Sequence, residues 1–307
     1  MKKVLIATEK PFAKAAVDGI TNIFGKVGYK LSLLEKYASV DEFYKAVADA
    51  DALIVRSDKV TGEVVAAASK LKIVVRAGAG YDNLDLAACS ANDIVAMNTP
   101  GQNSNAVAEL ALGMMLYMAR NCWKPGTGTE LKGKKLGIHA YGNVGKLVAV
   151  LGKGFGMEVY AFDPFITPEA MKKDGVIPVS DMADLYAGCQ YVSLHIPATE
   201  QTKRSIGYNL ISSMPKGGTL VNTARKEVMD EEGLLKALME RNDLKYATDV
   251  APDALAKIQD SVGKRIFATS KKMGAETAEA NINAGLAAAQ QIVDFFEKGD
   301  KKFQVNK

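Results

Sequence analysis

Histidine and cysteine are scarce in this chain, and each scarcity removes a class of chemistry. Its 307 residues include only 2 histidines and 3 cysteines. Cys89, Cys122 and Cys189 are odd in number and widely spaced, so they make neither a zinc knuckle nor a disulfide framework. A reducing, cytoplasmic setting is expected. His139 and His195 alone do not build a histidine-based metal centre, and no metal is expected. Long apolar runs are missing as well. The run 4–7 after Lys2 and Lys3 stops at Thr8 and Glu9, well short of a signal-peptide core, and reads as a first buried strand. The longest run, 110–119, lies between Glu109 and Arg120 and falls far below the roughly 20 residues that cross a bilayer. A surplus of one charge sign is also lacking: 39 Lys and Arg against 35 Asp and Glu leave +4. The lysines responsible, such as Lys132, Lys134 and Lys135, are scattered. Neither a membrane nor a nucleic acid is therefore expected as a partner.

The composition that remains, 48% hydrophobic and 24% charged, is that of a globule long enough for one large domain or two modest ones. Short aliphatic runs at 3–6, 31–34, 52–55, 72–75 and 94–96 alternate with helix-like stretches such as 11–24 and 61–69. The rhythm resumes at 135–140, 157–162, 190–195, 218–222 and 245–250. This pattern predicts an α/β fold of two doubly wound parallel-sheet units. A long helix over 103–120 and a turn-rich stretch with Pro125, Gly126 and Gly128 separate them. A second long helix, 276–298, has an Ala-rich face that must pack on something.

The most informative local signal is Ala140-Tyr141-Gly142-Asn143-Val144-Gly145, which follows a strand and opens a helix. It is a dinucleotide-binding turn whose first glycine is replaced by alanine. Gly142 leaves room where backbone approaches a pyrophosphate, and Gly145 permits close helix packing on the sheet. Ala140 is tolerable provided its φ is negative. Asp163 stands 18 residues after Gly145, at the end of the next strand, where a carboxylate accepts from ribose hydroxyls and repels a 2′-phosphate. NAD is therefore expected over NADP.

Five segments carry a family resemblance: RAGAGYDNLD from Arg76, NTPGQNSNAVAEL from Asn98, ELKGKKLGIHAYGNVG from Glu130, VSLHIPATEQTK from Val192 and VNTARKEVMDEEGL from Val221. Together they resemble the D-isomer-specific 2-hydroxyacid dehydrogenases, and the first two look most like the phosphoglycerate dehydrogenase branch. The resemblance implies an NAD-binding Rossmann domain, 99–274, inserted into a flavodoxin-like substrate-binding domain of 1–98 plus 275–307. It also implies a homodimer formed through the cofactor domain, to which the apolar helix around 110–118 could contribute. Long members carry a regulatory domain after the last helix. With the chain ending at Lys307, serine feedback through such a domain is not expected.

Roles follow residue by residue from the same resemblance. Arg225 would bridge the substrate's carboxylate and carbonyl oxygen and steady developing negative charge. Backbone N–H groups of Ala79 and Gly80 would hold the carboxylate. Asp249 would hold the nicotinamide carboxamide, and His195, Pro197, Thr223 and Ala224 would line the cofactor with Gly142, Asn143, Val144 and Gly145. At His195 simple packing is an equally good reading. The sequence departs from the family where a His and its orienting Glu are usual: Lys272 takes the histidine's place and Ala254 the glutamate's, with Asp253 one residue away. This resembles a lysine-bearing subgroup in which Lys272 does the proton transfer. An ammonium needs no tautomer control, so losing both partners together is chemically coherent. For the substrate's phosphate, Arg56, Lys59 and Arg76 lie at strand ends where α/β sheets gather ligands, with Lys10 a weaker candidate. Each could equally be a solvated charge. The expected reaction is hydride transfer between NAD and a phosphorylated 2-hydroxy or 2-keto acid, 3-phosphoglycerate and 3-phosphohydroxypyruvate. A glyoxylate or hydroxypyruvate reductase is the neighbouring alternative. A catalytically inactive, NAD-responsive corepressor or binding protein is the alternative of another class.

Overall fold

A computed structural model describes residues 1–306. The chain forms two units, Met1–Asn103 with Glu276–Lys307, and Ser104–Ala275. No helix of the described residues is long and apolar enough to cross a membrane.

In the first unit five parallel strands, β1 (Lys3–Thr8), β2 (Lys30–Glu35), β3 (Ala52–Val55), β4 (Ile73–Arg76) and β5 (Val95–Asn98), stand in the order β2-β1-β3-β4-β5. In β1, β3, β4 and β5 side chains alternate between two buried faces, which is why these strands read as unbroken apolar runs, whereas β2 at the edge has no fully buried residue. Val4, Ile6, Ala52, Ile54, Ile73 and Val75 enter one core, while Leu5, Ala7, Leu53, Val55 and Val74 enter the other. The first core is closed by the helices Lys14–Lys26 and Ala278–Lys298. Ala284, Ala288, Ala289 and Ile292 of the latter meet Ala16, Ile20 and Phe24 of the former, so the Ala-rich face finds its partner within this unit. A Cβ on Gly19 would lie 2.5 Å from Leu286 Cδ2, which measures how closely the two helices approach.

The second unit has seven parallel strands: β6 (Lys135–His139), β7 (Glu158–Phe162), β8 (Ile177–Pro178), β9 (Tyr191–Leu194), β10 (Thr219–Asn222), β11 (Lys245–Thr248) and β12 (Ile266–Ala268). Their order is β12-β11-β10-β9-β6-β7-β8. The chain runs outward from β6 through β7 to β8 and then returns to β9 on the other side, so a topological switch lies between β6 and β9. The edge strands β8 and β12, of two and three residues, are the ones that hydrophobic patterning misses. Helix Ser104–Ala119 packs Ala108, Ala111, Leu112, Met115 and Met118 into the same core as Val148 and Ala149 of helix Asn143–Gly154.

Candidate active site

In the second unit the candidate residues fall one after another at the C-terminal ends of adjacent strands. Gly142 follows β6 and caps helix Asn143–Gly154 in extended conformation. A Cβ on Gly142 meets nothing within 4 Å, so its backbone faces open space, whereas one on Gly145 would lie 2.3 Å from the Ala140 carbonyl. Asn143 is exposed and Val144 half-buried at the start of the helix. The expectation of a negative φ at Ala140 is overturned: φ is +78° there. The turn needs the left-handed conformation that glycine adopts freely, and the alanine sustains it at a cost of about 1–2 kcal/mol. Asp163, just past β7, fixes this turn. Its Oδ2 accepts from Tyr141 N at 2.7 Å and its Oδ1 from Phe165 N at 2.8 Å.

Across the switch, His195 N donates to the His139 carbonyl at 2.9 Å. His139 Nδ1 lies 3.1 Å from the Tyr186 hydroxyl. Burial pushes the His139 imidazole down to about 4, against a smaller opposing effect of the Asp163 charge. Burial, and then the neighbouring His139, push His195 down to about 3. Both rings are neutral at pH 7, so neither carries a proton to give away there. Pro197 is exposed, and its carbonyl accepts from Thr202 Oγ1.

After β10, the fully buried Asn222 staples the turn that presents Arg225. Its Oδ1 accepts from Ala224 N at 2.9 Å and its Nδ2 donates to the Arg225 carbonyl at 3.0 Å. Thr223 and Ala224 are buried beneath the half-buried Arg225, whose Nη1 donates to the Ala224 carbonyl. Asp249, 1% exposed, follows β11. Its Oδ2 accepts from Gly274 N at 2.7 Å and Met273 N at 3.1 Å, which ties it to the exposed segment that carries Lys272. The carboxylate of Asp253, the residue beside the glutamate position, pairs with Lys226 Nζ at 2.6 Å. Glu231, which pattern reading overlooked, accepts from the backbone N–H groups of Asp253 and Ala254. A carboxylate opening the helix Glu231–Glu240 offers no signal of that reach in sequence.

Four buried polar atoms along β9, β10 and β11 find no hydrogen-bond partner among the described residues: Ser193 Oγ, His195 Nε2, Thr223 Oγ1 and Asp249 Oδ1. Unsatisfied buried polar atoms are costly, and a row of them toward the C-terminal ends of adjacent strands marks where a polar ligand completes the bonding. Such a row, with an open glycine turn, a helix N-terminus and a strand-end carboxylate, suits NAD.

In the first unit the basic candidates divide. Arg56, just past β3, is already engaged: Nη1 donates to the Lys10 and Pro11 carbonyls, Nη2 to Asn281 Oδ1, and the guanidinium lies over Phe12. Arg76 ends β4, and its Nε donates to the Arg56 carbonyl at 3.0 Å. Gly78, at φ +147°, makes room for it, since a Cβ there would lie 1.5 Å from Arg76 Nη1. Ala79 ends a bend and Gly80 follows it; their N–H groups make no backbone hydrogen bond among the described residues, while Asn98 Nδ2 holds the Ala79 carbonyl at 2.6 Å. Lys59 is exposed and, with Lys10, lines a cavity of about 360 Å³ at the ends of β1, β2 and β3. Asp58, 8% exposed, braces that cavity: Oδ1 accepts from Glu9 N and the Tyr37 hydroxyl. Neither Asp58 nor Tyr37 stands out in sequence, because their pairing joins loops 21 residues apart.

Comparison with known proteins identifies the family. Residues 106–262 match the family model of the D-isomer specific 2-hydroxyacid dehydrogenase NAD binding domain. D-3-phosphoglycerate dehydrogenase of Methanocaldococcus jannaschii is 36% identical over 82% of this chain and 51% of the relative. Hydroxypyruvate reductase of Thermotoga maritima is 33% identical over 86% of this chain and 90% of that protein. The chain thus spans about half the length of the D-3-phosphoglycerate dehydrogenases it matches among curated relatives. A solved NAD+-bound 3-phosphoglycerate dehydrogenase of Entamoeba histolytica superposes with a TM-score of 0.89 at 51% identity, covering 100% of this chain and 99% of that one. With its ordered strand-end motifs and its family-model match across the second unit, the chain belongs to the D-isomer-specific 2-hydroxyacid dehydrogenases.

Proposed function

We propose that the protein is an NAD-dependent phosphoglycerate dehydrogenase, interconverting 3-phosphoglycerate and 3-phosphohydroxypyruvate, the first step of serine biosynthesis. The observation that carries this reading is the row of unsatisfied buried atoms, His195 Nε2, Thr223 Oγ1 and Asp249 Oδ1, beside a stapled Arg225. Held along those strand ends, NAD would supply the hydride acceptor or donor for C2 of the substrate. Gly142, Asn143, Val144 and Gly145 receive the pyrophosphate, Asp163 the adenosine ribose, and His195, Pro197, Thr223, Ala224 and Asp249 the nicotinamide half. Arg225 polarises the C2 oxygen and holds the carboxylate, because a guanidinium offers two parallel donors to adjacent oxygens. Lys272 gives that oxygen a proton in reduction and takes one in oxidation. Free lysine titrates at about 10.4, so oxidation needs the minority neutral form and quickens as pH rises past neutrality. The substrate-binding domain comprises the first unit. Its Ala79 and Gly80 amides meet the carboxylate, and Arg76 with Lys59 meets the phosphate, with Arg56 steadying the loop around them. The protein acts as a cytoplasmic homodimer, a reading supported by the family and by exposed apolar side chains in the second unit, Val150, Phe155 and Trp123.

The engagement of Arg56 by protein carbonyls and the Thermotoga maritima relative favour one second reading, a hydroxypyruvate or glyoxylate reductase. Steady-state turnover of NADH with 3-phosphohydroxypyruvate, hydroxypyruvate and glyoxylate decides between them. A preference of at least about tenfold in kcat/KM for the phosphorylated acid is expected. Equal turnover of all three sinks the phosphate assignment, and negligible turnover of any leaves an NAD-responsive binding protein.

A further inference from the structure

We propose that Asp249 is a positioning residue for Lys272: it holds the backbone of the lysine's segment with one carboxylate oxygen and makes that hold depend on what meets the other. The inference rests on the reading of Lys272 as the proton-transfer residue, and it adds how that residue is placed.

The segment between β12 and helix Ala278–Lys298 has no helix or strand of its own, so side chains must define its path. Thr269 N donates to the Thr248 carbonyl at 3.1 Å and Thr269 Oγ1 to the Lys271 carbonyl at 2.6 Å, which fixes the approach to Lys271. Beyond it, Met273 N and Gly274 N both donate to Asp249 Oδ2. Lys272 is thus bracketed between a hydroxyl anchor on one side and a buried carboxylate on the other. Hydrogen bonds to an ionised acceptor are about twice as strong as neutral ones, so the carboxylate is the firmer bracket. The packing at Gly274 shows how close the grip is. A Cβ there would lie 3.1 Å from both Asp249 Oδ2 and Val107 Cγ2, so a side chain at this position needs the segment or one of these neighbours to give by a few tenths of an ångström.

The second oxygen makes the grip conditional. Asp249 Oδ1 is buried and finds no donor among the described residues. A carboxylate with one bonded and one unsatisfied buried oxygen has reason to rotate or admit water, and either loosens the bonds at Oδ2. A ligand N–H donor at Oδ1, of the kind a primary carboxamide supplies, removes that incentive and locks the rotamer. Ligand binding at the end of β11 therefore orders the lysine's segment without touching the lysine, and the proton-transfer group is set in place only when the hydride carrier is present.

The test reads chain order, not turnover. Tryptic cleavage after Lys271 and Lys272, and hydrogen exchange of the Met273 and Gly274 amides, are followed in the native protein with and without saturating NAD. NAD is expected to slow both by about tenfold or more, the scale of one charge-assisted hydrogen bond. Asp249→Asn, which offers a neutral amide in place of the two-oxygen acceptor, raises cleavage without NAD by a similar factor and abolishes the NAD effect. Should that variant fold poorly, Gly274→Ala crowds the segment while leaving Asp249 intact, and it is expected to speed cleavage while NAD still binds. Native-like protection of this segment in both variants, or protection indifferent to NAD in the native protein, overturns the proposal. If protection behaves as expected but Lys272→Ala retains the native pH-rate profile, the anchorage stands and the proton-transfer role of Lys272 is wrong.

Discussion

The two sheets place functional candidates at the same kind of position, the C-terminal ends of parallel strands, yet they differ in what those ends offer. In the second unit the strand ends carry buried polar atoms left without partners, among them Thr223 Oγ1 and Asp249 Oδ1. In the first unit one such atom, Thr99 Oγ1, follows β5, while the cations are either satisfied by the protein, as Arg56 is, or exposed, as Lys59 is. A site that leaves hydrogen bonds unmade recognises one ligand by shape and donor pattern, whereas a site that offers exposed charge attracts any small anion and discriminates weakly. The second unit thus defines its ligand, NAD, more closely than the first unit defines an anion.

The sharpest way to break this contrast is to remove the proton-transfer candidate. Lys272→Ala is expected to lower kcat by about 10²–10⁴, the range for loss of a general acid-base, while NAD affinity measured by fluorescence quenching stays within about twofold. The alkaline rise of the oxidative rate should vanish with it, and Lys272→His should move that rise toward neutral pH. A native pH profile in Lys272→Ala would falsify the assignment. On the first unit the effect should be smaller and fall on KM. Lys59→Ala and Arg76→Ala are each expected to raise KM for 3-phosphohydroxypyruvate by about 10–100-fold with little change for hydroxypyruvate, the scale of one charged hydrogen bond. Equal losses on both substrates would show that the cations maintain the fold and do not read phosphate.

Two stability measurements compare the sheets without substrate. His139 and His195 are held at about 4 and about 3 by burial, below the ordinary value near 6.5. Unfolding therefore takes up protons between those values. The stability conferred by neutral imidazoles is whole above pH 6.5 and declines by about 1.4 kcal/mol per pH unit for each ring as pH falls toward 4. Chemical denaturation across pH 4–7 checks this, and His139→Phe should flatten the slope. Smallest is Ala140→Gly. Relief of the left-handed backbone is partly offset by the extra freedom of glycine in the unfolded chain, leaving a gain of about 0.5–1 kcal/mol. A loss of stability would mean that the alanine methyl contributes packing that outweighs the strain.

What could be read from the residue string follows from how local each cause is. The central strands were legible because burial on both faces leaves nothing but aliphatic side chains, as in β3. The glycine turn and Asp163 were legible because their spacing is dictated by one strand-turn-helix unit. The sign of φ at Ala140 was not, because the neighbouring packing overrides an alanine's preference. Nor was the engagement of Arg56 by Asn281, which joins residues 225 positions apart. Asn222 stood in plain view within VNTAR, but its role as a staple needs both ends of its amide, and only coordinates show those.

Because helix Ala278–Lys298 completes the core that β1 and helix Lys14–Lys26 begin, the first unit has a long history as an unfinished object on the ribosome. At about 5–20 residues per second, Ser104–Ala275 takes roughly ten to thirty seconds to emerge. Throughout that interval one apolar face of the nascent sheet, with Ile20 and Phe24 on it, has only helix Lys14–Lys26 as cover. The second unit can close first, as a continuous stretch of chain. The first must wait partly covered, which makes it the part of the newborn protein most exposed to chaperones and to aggregation.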